Sequence, residues 1–180
     1  MKFPETKKVL IGSILAGFLL GILFADFIAD SYVVQTDLFS EYYLKEFLGE
    51  TTYTIEYGIY LTVMRIVPII MLIAIQHTRI AKGVVWLFLL WTGFSCGLLM
   101  SVELMNLGSA GVLFYLAGIF PQIIFLIPAY GIVIVQITEH HGQSWNRGKI
   151  YAFLLFLVLA LFAEFFINPI LIKAMIHLLY

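Results

Sequence analysis

Few side chains in this sequence could do chemistry, and those few stand far apart. Glu139-His140-His141 is the nearest approach to a metal-binding run. It lacks the i, i+4 histidine spacing that puts two imidazoles on one helical face, so it reads as a solvated loop. Cys96 is the single cysteine. It allows no internal disulfide, has no histidine partner at zinc spacing, and reads as a small packing residue. No Ser/His/Asp set and no glycine-rich phosphate loop precedes a suitable helix. The expectation is a chain with no cofactor, no metal and no catalytic residues, hence not an enzyme. The informative groups are instead four ionisable residues set in apolar runs: Asp26, Arg65, Glu103 and Glu164. A charge at the centre of a bilayer costs about 2.5–3.5 kcal/mol on insertion scales, so each of these needs a partner or a route to water.

The elements that position them follow from composition. Of the 180 residues, 62% are hydrophobic and 12% charged, and the mean hydropathy is +1.02. A soluble domain of this size cannot cover that much apolar side chain with polar surface. Ten basic residues against eleven acidic leave a net charge of -1, with no basic excess for nucleic acid. Five apolar stretches, about 9–28, 55–75, 84–104, 112–137 and 150–168, are each close to the ~20 residues that cross ~30 Å of hydrocarbon as a helix. The expected fold is all-α: a single polytopic membrane domain, 1–180, of five transmembrane helices in membrane lipid. The basic start and the run from Val9 to Ile28 resemble a signal peptide, but the run is too long for one and reads as an uncleaved first span.

Positive charge sets the direction. Lys2, Lys7, Lys8, Arg79, Lys82, Arg147 and Lys149 fall on one side, and Lys45 and Lys173 on the other. This places the N-terminus in the cytoplasm and the C-terminus outside. Arg65 then lies ten residues into span 2, and Glu164 about four residues inside the outer end of span 5. Because arginine reaches outward along the bilayer normal, Arg65 and Glu164 are expected to pair, with Glu103 as a sharer. The role of that pair is a structural pin, or else a polar path or a partner-gripping site. Asp26 and Glu103 lie close to the outer interface.

Packing signals are of two kinds. Ser13, Gly17, Gly21, Ala25 and Ala29 recur every fourth residue in span 1, and Gly93, Gly97 and Ser101 do so in span 3. Such stripes let helix backbones approach closely, either within one bundle or across a homodimer. Span 4 holds Pro121 and Pro128, each of which removes an amide donor and opens the ladder upstream. Gln122 and Tyr130 are the groups at hand to satisfy freed carbonyls. The span is expected to be a kinked helix, or a broken one lining a cavity. Between spans 1 and 2, residues 30–54 carry Phe39, Tyr42, Tyr43 and Phe47 on one helical stripe and charges on another. This segment reads as a surface-lying helix or as a docking surface for an extracytoplasmic partner.

Several of these features together resemble the stage II sporulation protein M family. They are the glycine-rich first span ending Phe24-Ala25-Asp26-Phe27-Ile28-Ala29, Arg65 with Thr78-Arg79 after it, and Gly93-Phe94-Ser95-Cys96-Gly97. Gly111 to Gly118 followed by Ile119-Phe120-Pro121-Gln122 and Ile127-Pro128-Ala129-Tyr130 is the most specific, and Asn168-Pro169 near the end completes the set. The resemblance implies a five-span protein of the bacterial cell membrane. Its implied role is a non-enzymatic scaffold that holds peptidoglycan-degrading partners, an amidase and a lytic transglycosylase, during spore engulfment. More distant relatives carry a Pro-His-Gly start and an acidic residue before the second proline, where this chain has Gln122, Ile123 and Leu126. The alternative is a permease-like subunit of a transport system working with a separate ATPase. The loops 76–83 and 138–149 are short for coupling to one.

Overall fold

In the computed structural model, residues 5–28, 54–139 and 144–179 are described, and all their regular structure is helical. The elements are α1 (Glu5–Ile28), α2 (Ile55–Ile75), α3 (Ala81–Leu107), α4 (Ser109–Thr138), α5 (Arg147–Phe162), a π-helical turn (Ala163–Ile167) and α6 (Asn168–Leu179). Five helices are long and apolar enough to cross a membrane, the fifth being the composite Arg147–His177. Helices suit lipid because every backbone donor is satisfied inside the segment. Local capping fits the boundaries. Thr54 accepts a bond from the amide of Tyr57 at 3.3 Å, and Asn146 accepts from Gly148 at 3.1 Å.

The helices run past the hydropathy limits at several ends. α4 is one continuous helix of 30 residues with both prolines inside it. The largest difference is at Asn168-Pro169, which does not end the fifth span. The amide of Asn168 bonds to the carbonyl of Ala163, five residues back, and the chain continues to Leu179. A widened turn adds one residue to the register and accommodates the proline that follows. The buried stripe records the insertion. It runs Phe153, Leu157, Ala160 and Glu164, and resumes at Asn168 and Ile176.

The chain divides into two compact units. The first holds α1, α3 from Gly83, and α4 up to Tyr115. Here the small-residue stripes meet. A methyl group on Gly17 would overlap the Leu90 carbonyl oxygen and lie 3.0 Å from the Phe94 amide nitrogen. One on Gly21 would overlap the Phe94 carbonyl oxygen and lie 2.8 Å from the amide of Leu98. Gly93 and Gly97 stand in the same relation to the carbonyls of Ile14 and Phe18. Contact positions rise together along both chains, so α1 and α3 run in the same direction. Phe24 and Phe94 extend the seam, with ring centroids 5.3 Å apart. Ser13 bonds back to the Val9 carbonyl of its own helix at 2.9 Å. At the far end of α3, Gly108 takes φ 60°, and α4 starts at once in the reverse direction. Gly111 lies directly on the backbone carbonyl of Glu103. A side chain there would part the two helices.

The second unit holds α2, α4 from Leu116, α5, the π turn and α6. α2 and α5 run oppositely: Tyr57 stacks on Phe165 with centroids 6.0 Å apart, while Gln76 near the other end accepts from the Trp145 indole at 2.9 Å. α4 and α5 also run oppositely, since Lys149 donates to Gln136 at 3.1 Å near one end and Gln122 meets Glu164 well along both helices.

Candidate functional site

A polar cluster within the second unit is built by three of its helices. Arg65 is the eleventh of the 21 residues of α2, with ten residues on either side, or ~15 Å of helix each way. Its guanidinium forks onto Glu164: Nε donates to Oε2 at 2.8 Å and Nη2 to Oε1 at 2.5 Å. This is the bidentate arrangement in which a planar donor pair matches a carboxylate. Glu164 is the second residue of the π turn, and only 6% of its side chain is exposed, against 32% for Arg65.

Gln122 on α4 completes the carboxylate's shell. Its side-chain nitrogen, turned to the carboxylate, donates to Oε1 at 2.9 Å and to Oε2 at 3.0 Å. The opposite orientation would press a carbonyl oxygen against an anion. Tyr130, two turns further along α4, donates its hydroxyl to the backbone carbonyl of Arg65 at 3.2 Å. Pro68, inside the same helix, removes the amide that would have bonded to the carbonyl of Met64, one residue before Arg65. Gln122 thus reaches Glu164 of the π turn, and Tyr130 reaches the backbone of α2. The π turn has a related effect: it adds a residue to the helix right where Glu164 must face inward.

One sequence reading is revised by position. Glu164 is not close to a helix end: it stands seventeen residues after Arg147 and fifteen before Leu179, because the helix does not stop at Pro169. Glu103 belongs to the first unit, is 3% exposed, and keeps Oε2 without a hydrogen-bond partner. Asp26 is exposed on α1. Phe39, Tyr42, Tyr43 and Phe47 lie outside the described residues, as do His140 and His141. Pro68 and the π turn were passed over in the sequence. The proline was visible there, three residues after the arginine, whereas a π turn has no simple residue signature.

Beside the cluster an apolar groove of about 570 Å³ runs between α2 and the α5–π segment. Ile55, Gly58, Ile59 and Thr62 form one wall, and Val158, Phe162 and Phe165 belong to the other. Gly58 widens it: a methyl there would stand 3.2 Å from the Phe165 ring. The cluster's chemistry is charge neutralisation and helix pinning. Among the described residues, no group of three or more His, Cys, Asp or Glu could hold a metal ion. No protein-family model, curated protein or solved structure matches this chain.

Proposed function

We propose that this chain is a multi-pass protein of the bacterial cell membrane that acts as a non-enzymatic scaffold, with its N-terminus in the cytoplasm and its C-terminus outside. In this reading it holds extracytoplasmic peptidoglycan-degrading partners during spore engulfment. The observation that carries the scaffold reading is the closed bonding of the polar cluster. Arg65, Glu164 and Gln122 are spent on one another and tie α2, α4 and the π turn together. Such a pin supports a fixed frame. The glycine seam of α1 and α3 supports the same reading, since backbone contact resists sliding. The orientation rests on seven basic residues against two, and the opposed directions of α3 and α4, and of α4 and α5, agree with it. The wall-remodelling role rests on the family resemblance, and the outer segment with Tyr42, Tyr43 and Phe47 is the proposed contact.

A second reading has one observation in its favour. An arginine–glutamate pair halfway along spanning helices, beside a π turn and two proline-bearing helices, is the kind of site that lines a permeation path. In that reading the chain is the permease-like subunit of a transport system with a separate ATPase. Crosslinking in native membranes followed by affinity recovery separates the two. Wall hydrolases at stoichiometric recovery, lost when Tyr42, Tyr43 and Phe47 are changed to serine, support the scaffold. Recovery of a nucleotide-binding subunit in their place overturns it.

A further inference from the structure

Glu103 is a buried ionisable group that the polar cluster of the second unit does not explain. It is 3% exposed, and its Oε2 has no hydrogen-bond partner. Glu164 is buried to a similar degree, but it meets the Arg65 guanidinium and the Gln122 amide. Among the described residues, no cation pairs with Glu103. Asn106, one turn further along α3, keeps its Nδ2 unbonded as well, and an amide would in any case leave a charge in place.

The described elements of the first unit offer Glu103 no counter-charge. α1 runs alongside α3 in the same direction, so Lys8 near its start stands at the end opposite Glu103. Asp26, near the other end of α1, is acidic and exposed. The part of α4 in this unit has Tyr115 as its one titratable side chain, and α3 from Gly83 adds only Cys96. Backbone meets backbone at this corner: Gly111 lies on the Glu103 carbonyl, just after the reversal at Gly108. Buried as it is, the carboxyl meets water only when that packing opens. A carboxylate in such a setting has neither water nor a cation to offset its lost hydration, and a proton is the one cation small enough to do so. The acid form holds a single O–H, which a carbonyl of its own helix can accept, as the Phe88 carbonyl accepts from Thr92 on α3 at 2.8 Å. Glu103 is four residues, or ~6 Å of helix, from the end of α3, so the proton has a short way to the aqueous edge.

We infer that Glu103 is a proton-binding site: it stands in the folded chain as the neutral acid, and that neutrality is a condition of the packing between α3 and α4. The inference is independent of both the scaffold and the permease readings. Folding then takes up a proton that the unfolded chain releases above the ordinary carboxylate range, so alkali works against the fold. The test compares the parent with Glu103→Gln and Glu103→Leu, each as the full chain in mixed micelles, and either variant suffices if the other does not fold. In infrared difference spectra at neutral pH, the variant is expected to have lost one carboxylic-acid C=O band. By titration with a denaturing detergent, the folding equilibrium constant of the parent relative to the variant should fall as pH is raised from mildly acidic to alkaline. The steepest fall is about tenfold per pH unit, the slope for a single proton. Taking the ratio to the variant removes the titration of every other group. Loss of a carboxylate band in place of the acid band overturns the inference, because Glu103 is then ionised in the fold. So does a ratio that stays level with pH, because folding then binds no proton at this position.

Discussion

Removing one side of the Arg65–Glu164 pair should cost far more than removing both. Glu164→Leu leaves a guanidinium at mid-helix with the Gln122 amide turned toward it and no carboxylate to receive either. Breaking a buried pair from one side typically costs about 3–5 kcal/mol. Arg65 is a third exposed, so solvent or a neighbouring group relieves part of that, and the lower end, about 3 kcal/mol, is the expected loss. Arg65→Leu should cost a similar amount, because Glu164 is the more buried partner and retains only Gln122. The double variant Arg65→Leu/Glu164→Leu fills the same space with apolar atoms, as in soluble proteins where buried pairs are replaced without loss. It should lie within about 1–2 kcal/mol of the parent, giving a coupling of roughly 4 kcal/mol between the two positions. The assay is reversible unfolding in mixed micelles by titrating a denaturing detergent, with helicity as the readout, on all four proteins. Additive single losses would refute the reasoning, since they would mean that the two side chains do not depend on each other.

Gly17→Leu and Gly97→Leu should each destabilise the first unit by about 1–3 kcal/mol, because the new side chain meets backbone carbonyls that cannot move aside. Gly12→Ala, with open space around it, should be neutral or stabilising by up to about 1 kcal/mol in the same detergent titration. Asn146→Ala removes the side-chain acceptor at the start of α5 and should cost about 1 kcal/mol by thermal unfolding. Deleting Ile167 removes the residue that the π turn inserts, so an ordinary helical turn should leave Ile176 on the buried stripe, roughly 20° around the helix from Glu164. Glu164 keeps its place, so little loss of stability and an intact Arg65–Glu164 coupling are the expected pattern in the double-variant measurement.

The number and kind of elements were legible from sequence alone. Lipid offers backbone groups no hydrogen bonds, so a run of about twenty apolar residues has one economical solution, and five such runs read as five helices. The glycines were legible for a similar reason: repeated at every fourth residue, they mark a face where backbones touch. That Arg65 and Glu164 need each other followed from the cost of a lone charge in hydrocarbon. What spacing could not tell was which backbone atoms those glycines meet, because that depends on the neighbour's register and not on the stripe. It could not tell that Gln122 would turn to Glu164, or that Tyr130 would cross to the Arg65 carbonyl, since both bonds join residues far apart in the chain. Nor could it show that Asn168-Pro169 is passed through. The chain there adopts a five-residue turn, which keeps Glu164 facing Arg65 and returns Asn168 and Ile176 to the buried side. Local patterns determined which segments enter the bilayer as helices. Which polar groups inside it satisfy one another was decided only when those helices packed, because a hydrogen bond is set by the positions of both its ends.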